Sequence, residues 1–140
     1  IVALPFMVFY GRRADATRDY AGHVAFAAFA FALGLGALAV PAPAAVVVAS
    51  MTVCVAARWS LIGPFWSLPT AILTGAAAAG GIAWINSLGN LGGHLGPVML
   101  AGLAGAEGSF QRGLLAFAGL LAVCGVVTLL IRARGWGRAL

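Results

Sequence analysis

The run Gly11-Arg12-Arg13-Ala14-Asp15-Ala16-Thr17-Arg18-Asp19-Tyr20-Ala21-Gly22-His23 decides how the chain is read. Five of the eleven charged residues (8 Arg and 3 acids, no Lys) fall between Gly11 and Asp19. Apolar sequence lies on both sides, Ile1 to Tyr10 before it and Ala21 to Val40 after it. A charged island between two hydrophobic stretches is the pattern of a loop joining membrane helices. Composition agrees, with 63% hydrophobic residues, 8% charged and a mean hydropathy of +1.06. A soluble domain carries about 25% charged residues, so polar side chains are too few here to cover a water-facing surface. Disorder is excluded as well, because it needs low hydrophobicity and high charge. The 20 glycines suit closely packed transmembrane helices.

Working outward from the loop, the apolar runs predict spans. Residues 1–10 rise only about 15 Å as a helix, half of a hydrocarbon core of about 30 Å. They read as the end of a helix that begins upstream, or else as a short re-entrant segment. Residues 21–40 make one full span, closed by Pro41-Ala42-Pro43. Residues 44–73 are long for a straight span and are interrupted by Gly63-Pro64 and Pro69, so a tilted or kinked helix is expected. Thr74-Gly75 and Gly80 bracket a small-residue loop, followed by a span over 81–105, a polar turn at Ala106–Arg112 and a span over 113–131. The sum is an all-α bundle of four full spans and one partial span, with residues 132–140 as a tail.

The arginines orient the bundle. Arg12, Arg13 and Arg18 flank the first loop, and Arg132, Arg134 and Arg138 flank the last helix. Four spans separate the two sites, so both lie on one side, and six of eight Arg there make it cytoplasmic. The same logic disposes of the pI of 10.7 as a nucleic-acid signal: loop arginines on an apolar chain account for it. Cys54 and Cys124 sit inside apolar runs without metal-ligand spacing. Neither a cleavable signal pattern nor a lipidation motif is visible. No Ser/His/acid set, paired carboxylates or phosphate-binding Gly-Lys motif is present, so an enzyme is not expected, nor a cofactor or metal.

Within the first loop, Gly11 permits a tight passage from helix to loop, and Asp15 is placed to cap a helix and pair with arginine as a latch. The plain alternative is a solvated charged loop. Gly11-x-x-x-Asp15 in this position resembles the loop signature of the major facilitator superfamily. The segments Pro64-Phe65-Trp66-Ser67-Leu68-Pro69-Thr70, Gly75 to Ala83, Ile85-Asn86-Ser87-Leu88-Gly89-Asn90-Leu91-Gly92-Gly93, Gly96-Pro97 and Gly108-Ser109-Phe110 are similar to the C-terminal half of its anion:cation symporter branch. That branch includes permeases for tartrate, hexarates and aromatic carboxylates, and often places a His where His23 stands. The resemblance implies that residues 1–10 end helix 8 of a twelve-helix fold and that the rest are helices 9 to 12. Departures lie at Ala16, where Arg or Lys is usual, at Arg18, where Gly is usual, at Tyr20, where Arg is usual, and at His94, where an apolar residue is common.

Three features carry candidate chemistry. At about 100° per residue, Asn86, Ser87, Asn90 and His94 cover one polar arc of a helix, while Gly89, Gly92, Gly93 and Gly96 cover another face suited to close packing. A polar arc in a bilayer must face protein or water, so it either lines a transport pathway or bonds to neighbouring helices. Neutral His94 could also carry protons. Arg58 stands deep in an apolar run, where it anchors an anionic substrate or snorkels, or pairs with an acid elsewhere. Gly63-Pro64 and Pro69 are expected to break their helix near Phe65 and Trp66, which would close over substrate or simply pack. Gly96-Pro97 is a second hinge candidate. Trp136 reads as an interfacial anchor.

The expectation is therefore a piece of a secondary active transporter of a small organic anion, in the cell membrane, working by alternating access with protons as the coupling ion. Its partners would be the bilayer, the solute and the missing N-terminal half of the same transporter. The competing expectation is a small four-helix membrane scaffold or assembly subunit without transport activity.

Overall fold

A computed structural model describes residues 3–104 and 109–135, which form five helices. They are α1 (Ala3–Thr17), α2 (Tyr20–Leu38), α3 (Ala44–Ile72), α4 (Gly75–Ala104) and α5 (Gln111–Ala133). Three of them, α2, α3 and α5, are long and apolar enough to cross a membrane. At 30 residues α4 is long enough too, but the Asn86, Ser87, Asn90 and His94 arc and eight glycines dilute its hydropathy.

The bundle is built around α2, which packs along α3 on one side and α5 on the other, while α1 lies mainly against α3. The reason is side-chain size. The buried face of α2 is Ala21, Val24, Ala25, Ala27, Ala28, Ala32 and Gly34, so neighbouring backbones come close. Lipid tails are as apolar as these side chains, so this approach is rewarded by packing rather than by the hydrophobic effect. At Gly34 a methyl group would sit 2.6 Å from the Cys54 sulfur and 3.2 Å from the Ser50 carbonyl oxygen. At Gly125 of α5 it would sit 2.8 Å from the ring of Phe29. Both glycines mark helix contacts that admit no side chain.

The helices differ from the expected spans in three places. The charged run does not open into a loop at Gly11, because α1 continues through Arg12, Arg13 and Asp15 to Thr17. Arg and Ala are good helix formers, and the helix stops where Arg18 turns to a positive φ of 52°. That is the position at which the resembling family carries Gly, the residue that adopts this backbone at least cost. Residues 75–80 are likewise not a loop. Gly75 takes φ +56° to leave the short turn after α3, and Ala76 to Ala79 then propagate α4. Finally, α3 runs unbroken through Pro64 and Pro69, and α4 through Gly96-Pro97. A proline removes one backbone bond, and the hydroxyls of Ser67 and Thr70 bond back to the Gly63 and Trp66 carbonyls beside those gaps.

Pro43 caps α3 with an extended ψ of 150°, its carbonyl receiving the N–H groups of Val46 and Val47. Trp136, Arg138, Glu107 and Gly108 lie outside the described residues, as do residues 1 and 2.

Candidate functional site

The polar end of the bundle is where the sequence's charged island meets the last helix. Asp19 caps α2, its Oδ1 accepting from the Gly22 N–H at 3.1 Å. The same carboxylate is gripped by Arg132 of α5, with Nε to Oδ1 at 2.9 Å and a terminal guanidinium nitrogen to Oδ2 at 2.7 Å. This two-point geometry is the strong form of the ion pair. It ties residues 113 positions apart and puts the α1–α2 turn and the C-terminal end of α5 at one end of the bundle, as the arginine count required. Partial burial pushes the Asp19 carboxyl up, but the bonds from Arg132 and the Gly22 N–H outweigh it and hold the group below its ordinary 3.8. Around this pair, the Tyr10 hydroxyl donates to the His23 carbonyl at 2.7 Å and the two rings meet edge to face. The His23 Nδ1 lies 2.8 Å from the Asp19 carbonyl oxygen.

The helix cap expected at Asp15 thus falls to Asp19. Asp15 is inside α1, exposed, and cannot cap a helix; it receives the Tyr20 hydroxyl at 3.3 Å. Gly11 is mid-helix with open space around it. Asp19 was nonetheless legible as a cap, since it directly precedes the apolar run of α2. Arg132 as its partner was not, because nothing local joins the two.

Arg58 lies halfway along α3, with fourteen residues on either side of it in the helix. It is exposed, and its guanidinium carbon stands 6.0 Å from the centre of the Trp59 ring. Phe65 and Trp66 meet edge to face at 5.4 Å and are half-buried. Asn86, Ser87, Asn90 and His94 are all exposed on α4, and no hydrogen bond or ion pair among the described residues engages them. No such contact, nor a ring contact, joins Arg58 to that arc. The glycine face of α4 is equally bare: a methyl group at Gly89, Gly92 or Gly93 would meet nothing within 4 Å, and Gly96 has only the Phe117 ring at 4.0 Å. The close packing expected of that face is therefore absent among the described residues.

One residue was missed altogether. Ser60 is 2% exposed and its hydroxyl has no hydrogen-bond partner among the described groups. It stands one turn before the buried Pro64, which has no N–H to offer the Ser60 carbonyl. It borders an apolar cavity of about 360 Å³ between α1, α2 and α3. The spacing Ser60-x-x-x-Pro64 was the available signal.

A bundle of apolar helices with a paired, capped polar end and an uncovered polar arc defines a class, a segment of a multi-pass membrane protein. Comparison with known proteins supports it. The chain is 40% identical over 131 residues to a protein of Agrobacterium vitis provisionally named a tartrate transporter, covering 94% of this chain and 30% of that protein. It is 35% identical over 103 residues to a quinolone resistance transporter of Acinetobacter baumannii, covering 74% and 24% respectively. It is 32% identical over 88 residues to the inner membrane transport protein RhmT of Escherichia coli (strain K12), covering 61% and 20%. The chain thus spans about 30% or less of the length of the curated relatives it matches. These transporter names agree with the resemblance to the major facilitator superfamily. No family model matches the chain, and no solved structure matches it.

Proposed function

We propose that this chain is part of a secondary active transporter that moves a small organic anion across the cell membrane by alternating access, with protons as the coupling ion. The observation that carries the reading is the 40% identity, over nearly the whole chain, to a protein named for tartrate. Arg58 supplies the chemistry. It is a fixed positive charge at mid-helix depth, and its planar guanidinium matches a carboxylate in two bonds. The α4 arc supplies neutral hydrogen-bond groups for hydroxyls or for the second carboxylate. Phe65 and Trp66, beside Pro64 on α3, would supply an aromatic wall, and Gly63, Pro64, Gly96 and Pro97 would be the places where α3 and α4 bend during the cycle. In this reading the arc and the glycine face of α4 are covered by helices of the N-terminal half and by the rest of the C-terminal half. The end carrying Asp19 and Arg132 faces the cytoplasm.

Uptake of labelled dicarboxylates by the full-length protein, in a host without its own uptake, tests the proposal. Saturable uptake that collapses with a protonophore is expected. Arg58→Gln should raise the half-saturating concentration by about tenfold or more, since a charged hydrogen bond to carboxylate is worth about 1.5–3 kcal/mol. Unchanged affinity in that variant would remove Arg58 from the site, and uptake indifferent to the protonophore would remove proton coupling. Residues 1–140 alone should not transport, because one wall cannot close a pathway.

A second reading is export of an amphiphilic aromatic acid, favoured by the 35% identity to the quinolone resistance transporter. Raised fluoroquinolone tolerance in the expressing host, without dicarboxylate uptake, would select it.

A further inference from the structure

We propose that the groove between α1, α2 and α5 at the Asp19–Arg132 end binds one anionic phospholipid. Its headgroup would lie at Arg13 and Arg132, and one acyl chain would lie along an aromatic wall. The groove is open and has a volume of about 600 Å³. Its two ends differ in chemistry. Arg13, Asp19, His23 and Arg132 border one end, and Phe6, Phe9, Phe26, Phe29 and Leu129 border the rest.

Axial distances identify the occupant. Along α2, Asp19 to Phe29 is ten residues, a rise of about 15 Å, and along α1, Arg13 back to Phe6 is seven residues, about 10 Å. Both apolar walls run away from the charged end. Half of a hydrocarbon core is also about 15 Å, so the groove has the depth and polarity of a single leaflet. Phe6 and Phe9 are 45% and 63% exposed, so the wall has not been closed by the bundle itself.

Charge selects the headgroup. Arg132 spends two of its five donors on Asp19, and its side chain remains 41% exposed, which leaves donors for a phosphate. Arg13 is exposed on the facing helix. With Asp19 counted, the mouth keeps a net charge of +1. Basic pockets between helices recognise anionic headgroups in this way. A soluble phosphate would use the mouth and leave the wall bare. A phosphatidylcholine would bring its own cation to two arginines. The inference rests on the chain lying in a membrane and not on which solute it moves, so it stands or falls separately from the substrate.

Native mass spectrometry of the full-length protein, purified with mixed phosphatidylglycerol and phosphatidylcholine, reads the site directly. One phosphatidylglycerol should be retained in preference to phosphatidylcholine. Arg13→Gln should lower its retention by about fivefold, the effect of one basic residue at a lipid surface. Phe9→Asn, which leaves every charge in place, should lower it too. A phosphatidylglycerol carrying a photoreactive acyl chain should label peptides containing Phe6 or Phe29. Equal retention of the two lipids would overturn the proposal. So would displacement by glycerol 3-phosphate, which would make the mouth a site for free phosphate. Labelling found only elsewhere, or a groove protected by another segment of the protein, would overturn it as well.

Discussion

Helices α2 and α4 are both rich in Gly and Ala, yet they occupy opposite situations. The 19 residues of α2 bury seven positions against α3 and α5, and its Gly34 touches a neighbouring backbone. The 30 residues of α4 bury none, and its central glycines face open space. The contrast teaches that a small-residue face is an offer of close approach, which is met only when a partner is at hand. On α2 the partner lies within these 140 residues. On α4 none is found among the described residues, and the polar arc beside the glycines is unpaired there too.

The largest effect should come from overfilling the met contact. Gly34→Leu would drive a branched side chain into the Cys54 sulfur and the Ser50 carbonyl, backbone that cannot step aside. A loss of about 3 kcal/mol is expected, at the upper end of overpacking costs. It should read as a collapse in the yield of monodisperse full-length protein. Near-normal yield would mean that α2 and α3 can separate, and would end the contrast.

What the sequence made legible divides along the same line. Apolar run length located the five helices, and the arginine distribution put the first turn and the last helix end together, which the Asp19–Arg132 pair bears out. These are properties of one segment at a time. The pair itself was not legible, because its members are 113 residues apart and no period or spacing connects them. The cap expected at Asp15 stands at Asp19 because helix ends depend on backbone geometry. The helix ends at Arg18, where φ turns positive, and only the next residue is free to cap. The expected breaks at Pro64 and Pro69 failed because each proline removes only one backbone bond and the rest of the α3 ladder carries the helix through. The fate of the α4 face was beyond reach, since a run of small and polar residues names no partner.

Within the polar end, a smaller effect separates Asp19 from Asp15. Asp19→Ala removes a cap worth about 1 kcal/mol and a two-point ion pair worth up to about 1 kcal/mol, so a loss near 2 kcal/mol is expected in thermal unfolding. Asp15→Ala, which loses the exposed bond from the Tyr20 hydroxyl at 3.3 Å, should stay within about 0.5 kcal/mol. Equal losses would restore Asp15 as the latch. The pH dependence has a defined sign. The Asp19 carboxyl is held below its ordinary 3.8, so its contribution is fully present above that value and is lost as pH falls through the lowered one. Between pH 5 and 8 the wild type and Asp19→Asn should differ by a constant amount. Their melting curves should converge only on the acid side, below about pH 4. A difference that grew towards alkaline pH would assign the effect to another group.

The smallest effect is the most discriminating, because its sign carries the answer. In the described residues a methyl group at Gly92 meets nothing within 4 Å. On that surface alone, Gly92→Ala would stabilise the helix by about 0.5–1 kcal/mol, since alanine loses less backbone freedom on ordering than glycine. In the full-length protein, the proposed function covers this face with neighbouring helices, and the same methyl group becomes an intrusion. A net loss of about 1 kcal/mol is then expected, the low end of overpacking. It should appear as a lower thermal midpoint in detergent. A raised midpoint would show the glycine face of α4 still open in the whole protein. The arc formed by Asn86, Ser87, Asn90 and His94 would then have to find its polar partner in water rather than in a neighbouring helix, because lipid offers none.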